Sequence, residues 1–167
     1  MSQTKRLLIG IVILGGLAGL VLSVEMWRGA ALAQSAGAEA TLTPGAVPIY
    51  LQGQRVAAFE PADLERLPLA NFVEPVENKT QEGWLLYDVL RLYLPEEALL
   101  ADTQVRVIST SRGKSAELTW GEIADLKNMV MFDLSGRGTL KLVSLLDRLA
   151  TRDQWVQDTD RIEVNVP

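Results

Sequence analysis

The chain has 167 residues, 48% of them apolar, with no cysteine, no histidine and a formal net charge of −5. That is enough for one domain with a real core, and it excludes disulfides, thiolate nucleophiles, cysteine or histidine metal centres and imidazole base catalysis within the chain. The first 33 residues hold three of the 16 cations and one of the 21 acids, so the remainder carries −7, and with no basic stripe it predicts no nucleic-acid partner.

Residues 7–24, "LLIGIVILGGLAGLVLSV", are uncharged. As a helix they span about 27 Å, the thickness of a bilayer's hydrocarbon core. Lys5 and Arg6 precede the run and predict a cytoplasmic N-terminus, and Trp27 follows where an interfacial aromatic belongs. Ala31-Leu32-Ala33 offers the competing reading of a signal peptide cut after Ala33. A retained anchor is favoured, because the apolar run exceeds a signal core and lies nine residues from that cut. Both readings put the following domain on the extracytoplasmic side, periplasmic or cell-surface, and secreted if cleaved. Residues 1–33 therefore read as signal anchor or signal peptide, 34–46 as a flexible linker and 47–167 as the domain.

Two apolar runs flank Gln52-Gly53-Gln54 and predict a hairpin. In "EPADLERLP", Pro61 suits a first helical turn, Leu64 and Leu67 share a face, and Pro68 stops the helix. "NFVEPVENKTQEG" is polar and proline-interrupted, a loop or edge strand that includes the N-glycosylation pattern Asn78-Lys79-Thr80. "GWLLYDVLRLYLPEEALL" gives the clearest helix, with Leu85, Leu86, Val89, Leu90 and Tyr93 on one face and Pro95 at its end. "TQVRVIST" and "SAELTW" alternate as strands. Thr119 and Glu122 form a capping box for a short helix, "MVMFDL" is a strand and "SGRG" a turn. "LKLVSLLDRLA" fits either strand or helix, and "RIEVNV" closes as a strand. The fold class is α+β: a mixed, mainly antiparallel sheet with short helices. Trp84, Trp120 and Trp155 belong in the core.

The stretch with most chemical character is "TSRGKS", residues 110–115. It ends like a phosphate-binding loop, but Ile108 stands where the first glycine of that loop is required, and a strand pattern follows in place of a helix. A plain hairpin, with Arg112 and Lys114 solvated at the tip and Gly113 at positive φ, is favoured over an anion site. The anion site would draw on Arg112, Lys114, Ser115 and, from "SGRG", Arg137. Asp158, Asp160 and Glu163 read as a solvated strand entrance, lacking the glycine and further oxygens of a calcium loop.

The order of "FEPADLERLP", "GWLLYDVLRLYLP", "VRVISTSRGKSAELTWGEI", "MVMFDLSGRG", "LKLVS" and "WVQDTDRIEV" resembles the molybdopterin-binding domain of the sulfite oxidase family, over about residues 49–165. The resemblance implies that family's fold and places the basic turns in a cofactor-binding domain. It also implies a cysteine thiolate on molybdenum, which no residue here supplies. The chain thus reads as a short stand-alone relative and a membrane-tethered, non-catalytic binding or accessory module with a protein partner and no cofactor. The alternatives are a molybdopterin-dependent oxidoreductase and a small-anion binding protein.

Overall fold

Alternation at every second residue builds most of the domain. Val105 and Val107 are buried and Arg106 between them is exposed, and Ile162 and Val164 repeat the pattern across the neighbouring strand. The computed structural model describes residues 42–134, 136 and 138–167. The expected anchor over 7–24 and most of the linker fall outside them, as do Ser135 and Arg137. Among the described residues no helix is long and apolar enough to cross a membrane.

The strands are β1 (Val47–Leu51), β2 (Gln54–Phe59), β3 (Leu69–Val73), β4 (Thr80–Leu85), β5 (Gln104–Ser109), β6 (Lys114–Thr119), β7 (Met131–Leu134), β8 (Leu140–Val143) and β9 (Arg161–Asn165). They form two sheets where the sequence suggested one: a five-stranded sheet in the order β2-β1-β9-β5-β6 and a four-stranded sheet in the order β3-β4-β7-β8. β1 and β9, first and last along the domain, run parallel with Ile49 beside Ile162; all other strand pairs are antiparallel.

Helix α1 (Leu86–Tyr93) buries Leu86, Val89 and Leu90, and ends before Pro95 as expected. It begins later than its apolar spacing suggests. Trp84 and Leu85 belong to β4, and Leu85 packs in a different cluster from the helix face. Apolar residues at 84, 85 and 86 fit a strand end as well as a helix start, so spacing alone did not separate them. Helix α2 (Trp120–Ala124) starts at the expected capping box, the Thr119 hydroxyl accepting from the Glu122 N–H at 3.2 Å and the Glu122 carboxylate accepting from the Thr119 N–H at 2.8 Å. "EPADLERLP" forms a 3₁₀ turn over Pro61–Arg66 with Leu64 buried. The ambiguous "LKLVSLLDRLA" is both things in turn, β8 and then a 3₁₀ turn over Asp147–Leu149.

The main core joins Ile49, Val107 and Ile162 of the larger sheet to Trp84, Phe132 and Leu142 of the smaller, with the buried face of α1. Each fully buried side chain of this size contributes roughly 1.5–3 kcal/mol. A second cluster, Phe72, Met131, Val143 and Trp155, lies on the opposite face of the smaller sheet, so Met131 and Phe132 serve different cores. Trp84, Trp120 and Trp155 are all buried. β4 and β7 approach so closely that a Cβ at Gly83 would lie 1.9 Å from the Phe132 carbonyl oxygen. The far edge of β8 is covered by the chain itself, the Leu142 N–H donating to the Val156 carbonyl at 2.8 Å and the Thr159 N–H to the Leu140 carbonyl at 2.9 Å.

Candidate functional site

Residues 110–113 of the hexapeptide connect β5 to β6, and Lys114 and Ser115 open β6. Gly113 takes φ 59° and donates its N–H to the Thr110 carbonyl at 3.1 Å. β6 follows at once, so no helix N-terminus faces the turn, and the phosphate-loop reading is excluded by geometry as it is by sequence.

Arg112 is exposed as expected, but the cations of the turn do not stand free at its tip. The Arg112 Nε donates to Asp158 Oδ2 at 2.5 Å, and the other oxygen of that carboxylate accepts from the Thr139 hydroxyl at 2.7 Å. The Lys114 ammonium donates to the Asp153 carbonyl. Asp160 accepts from the Thr110 N–H at 2.9 and 3.1 Å and from its hydroxyl at 2.5 Å, while the Asp160 N–H returns to the Ile108 carbonyl at 3.0 Å. The turn and the 153–160 segment thus form one clamp.

Strand alternation separates Lys114 from Ser115. Lys114 lies on the side of β6 that buries Ala116 and Leu118, and Ser115 lies on the opposite side with Glu117. The Ser115 hydroxyl accepts from Arg106 at 3.3 and 3.4 Å. Consecutive residues of a strand cannot grip one small anion from the same face. Of the four candidates, Arg112 and Lys114 meet the 153–160 segment, Ser115 faces away and Arg137 lies outside the described residues.

The three acids near the C-terminus divide in the same way. Asp158 and Asp160 hold the turn, whereas Glu163 pairs with Arg161 at 2.7 Å and with Arg106 at 4.0 Å on the outer face of the larger sheet. Among the described residues no group of three or more acidic side chains is arranged to hold a metal ion.

A second polar cluster escaped the sequence reading. Glu74, Glu77 and Lys79 from the β3–β4 turn meet Gln81, Lys141, Arg152 and Trp155 in a cleft of about 180 Å³ on the outer face of the smaller sheet. Lys141 lies 2.9 Å from Asp133 and 3.0 Å from the side-chain Oε1 of Gln81, with its ammonium 4.9 Å from the centre of the Trp155 ring. The buried Glu74 carboxylate accepts the N–H groups of Val76 and Glu77, closing the turn. A hydrogen bond from Lys79 holds the Glu77 carboxyl below its usual range. Lys79 and Arg152 share Glu77, at 2.6 and 3.8 Å, which ties the turn to the C-terminal segment. Only the even spacing of Gln81 and Gly83 ahead of Trp84 hinted at this strand, and nothing in sequence brings residue 152 to residue 77.

The residues do not fit a molybdenum-bearing pterin. No thiolate is available anywhere in the chain, and the guanidinium and ammonium that would meet the cofactor's acidic groups are held by Asp158 and the Asp153 carbonyl. Compared with known proteins, the sequence matches no protein-family model and no curated protein.

Proposed function

We propose that the chain is a membrane-tethered, extracytoplasmic, non-catalytic binding or accessory module, built on a domain that resembles the molybdopterin-binding domain of the sulfite oxidase family. One observation carries this reading: the basic turn, which the resemblance places in a cofactor-binding domain, is bonded to the protein's own 153–160 segment. The α+β architecture with two mostly antiparallel sheets is consistent with it, and the apolar run over 7–24 supplies the tether. Its partner is a protein on the same side of the membrane.

The test is metal analysis and visible absorbance of the full chain purified from its native host, followed by capture of partners from native membranes. A colourless, metal-free, folded protein that brings down a defined partner supports the proposal. Stoichiometric molybdenum or a pterin chromophore overturns it in favour of an oxidoreductase.

A further inference from the structure

Pairing off the polar groups of the cleft on the outer face of the smaller sheet leaves donors over. Both oxygens of Glu74 are taken by the N–H groups of Val76 and Glu77. Lys141 donates to Gln81 Oε1 and pairs with Asp133 beside it. Lys79 bonds to Glu77.

Two donor groups remain. An ammonium has no lone pair to offer, so the Gln81 amide must turn its oxygen to Lys141 and its Nε2 group elsewhere. Gln81 is only 7% exposed and lines the cleft, yet among the described residues its Nε2 group has no acceptor. A donor buried without an acceptor is destabilising, so the site holds a place for one. Arg152 lines the same cleft. Its ion pair with Glu77 spans 3.8 Å, beyond hydrogen-bond length, and its planar fork of N–H groups makes no hydrogen bond to the described residues. Trp155 supplies an apolar wall: its indole N–H is spent on the Leu149 carbonyl at 2.9 Å, which fixes the ring and leaves its carbons as the surface offered.

We propose that this cleft binds a small organic monocarboxylate, its oxygens accepting from the Arg152 guanidinium and the Gln81 amide and its short carbon chain lying against Trp155. A carboxylate matches the guanidinium fork with two parallel hydrogen bonds, stronger than those a neutral carbonyl accepts. Charge limits the class. Lys79, Lys141 and Arg152 line the cleft with Glu74 and Glu77, and Asp133 beside Lys141 evens the count, so no surplus of positive charge awaits a dianion such as phosphate. Volume limits it further. A cleft of about 180 Å³, at roughly 30 Å³ for each water-sized volume, admits about six non-hydrogen atoms, the size of a four-carbon monocarboxylate. The site uses none of residues 110–115 and does not depend on the accessory-module reading.

The probes are butyrate, its uncharged counterpart butyramide and inorganic phosphate, each titrated into the full isotope-labelled chain in neutral detergent. Binding is read by NMR at the Gln81 side-chain amide and the Trp155 indole N–H. Butyrate should shift both signals saturably, and butyramide and phosphate should bind at least about tenfold more weakly. Gln81→Glu keeps an oxygen for Lys141 but replaces the free donors with a second oxygen, and Arg152→Gln removes a guanidinium that holds no hydrogen bond among the described residues. Each should weaken butyrate binding, read at Trp155, by about tenfold or more with the circular dichroism spectrum unchanged. No saturable shift, binding of butyramide or phosphate as tight as that of butyrate, or unchanged butyrate affinity in either folded variant would overturn the proposal.

Discussion

The β5–β6 and β3–β4 hairpins make opposite use of their residues. Residues 110–115, from the β5–β6 connection into β6, carry two cations and three hydroxyls, and their main polar groups meet a partner inside the molecule, chiefly Asp158, Asp160 and the Asp153 carbonyl. The first strand of the β3–β4 hairpin carries no charge, and its Leu69 and Val73 remain more than half exposed. Chemical character in a sequence is therefore a poor guide to what stays available. A cation near an acid on another element closes on it, whereas an apolar edge strand with no strand beyond it cannot satisfy itself.

The largest effect that would break this contrast lies in the sheet that carries the exposed edge. Gly83→Ala puts a methyl group against the backbone of Phe132 and Asp133, and should cost about 3 kcal/mol in urea denaturation. A cost under 1 kcal/mol would mean that β4 and β7 separate freely and that β3 is no rigid edge.

Asp160→Ala removes the acceptor for the Thr110 N–H and hydroxyl together. It should destabilise the domain by about 2 kcal/mol and speed amide exchange at Thr110. Asn71→Ala, on the exposed strand, should stay within about 0.5 kcal/mol. Equal costs for the two would erase the distinction between a clamped hairpin and an unclamped one.

A smaller effect is expected with pH. Arg148 bonds both oxygens of Glu122 at 2.7 Å and also reaches the Glu117 carbonyl at 3.1 Å, tying the Asp147–Leu149 turn to α2 and β6. The hydrogen bonds from Arg148, opposed by burial, hold the Glu122 carboxyl below its usual range. The folded state therefore takes up that proton less readily than the unfolded chain. Its contribution is complete above the ordinary carboxylate value of about 4.3 and is lost as pH falls through the lowered one. Glu122→Gln should flatten the acid limb of the stability profile, and an unchanged limb would show that other carboxylates set it. Arg112→Ala should do least, about 0.5–1 kcal/mol, because its pair with Asp158 is partly solvated and screened by salt.

Local pattern made much of the fold legible. The first hairpin, the capping box at Thr119, the alternation in β5, β6 and β9, and the three core tryptophans all follow from spacing over a few residues. The start of α1 did not, because Trp84 and Leu85 are apolar in either state and only their pairing with Phe132 and Met131 makes them strand. Nor did the division into two sheets, since alternation reports which face is buried and not which strand lies alongside. The candidate turn was legible as a hairpin; its ion pair was not, because Arg112 and Asp158 lie 46 residues apart.

By itself the amino-acid sequence determined what chemistry this protein lacks, since no folding can supply a thiolate or imidazole that the chain does not contain. It also determined the strands and turns whose signals are local. Only the tertiary structure decided that Arg112 and Lys114 bond to the 153–160 segment and that, among the described residues, no strand lies along the outer edge of β3. Both depend on which distant segments meet, and that is set by packing two sheets around a shared core.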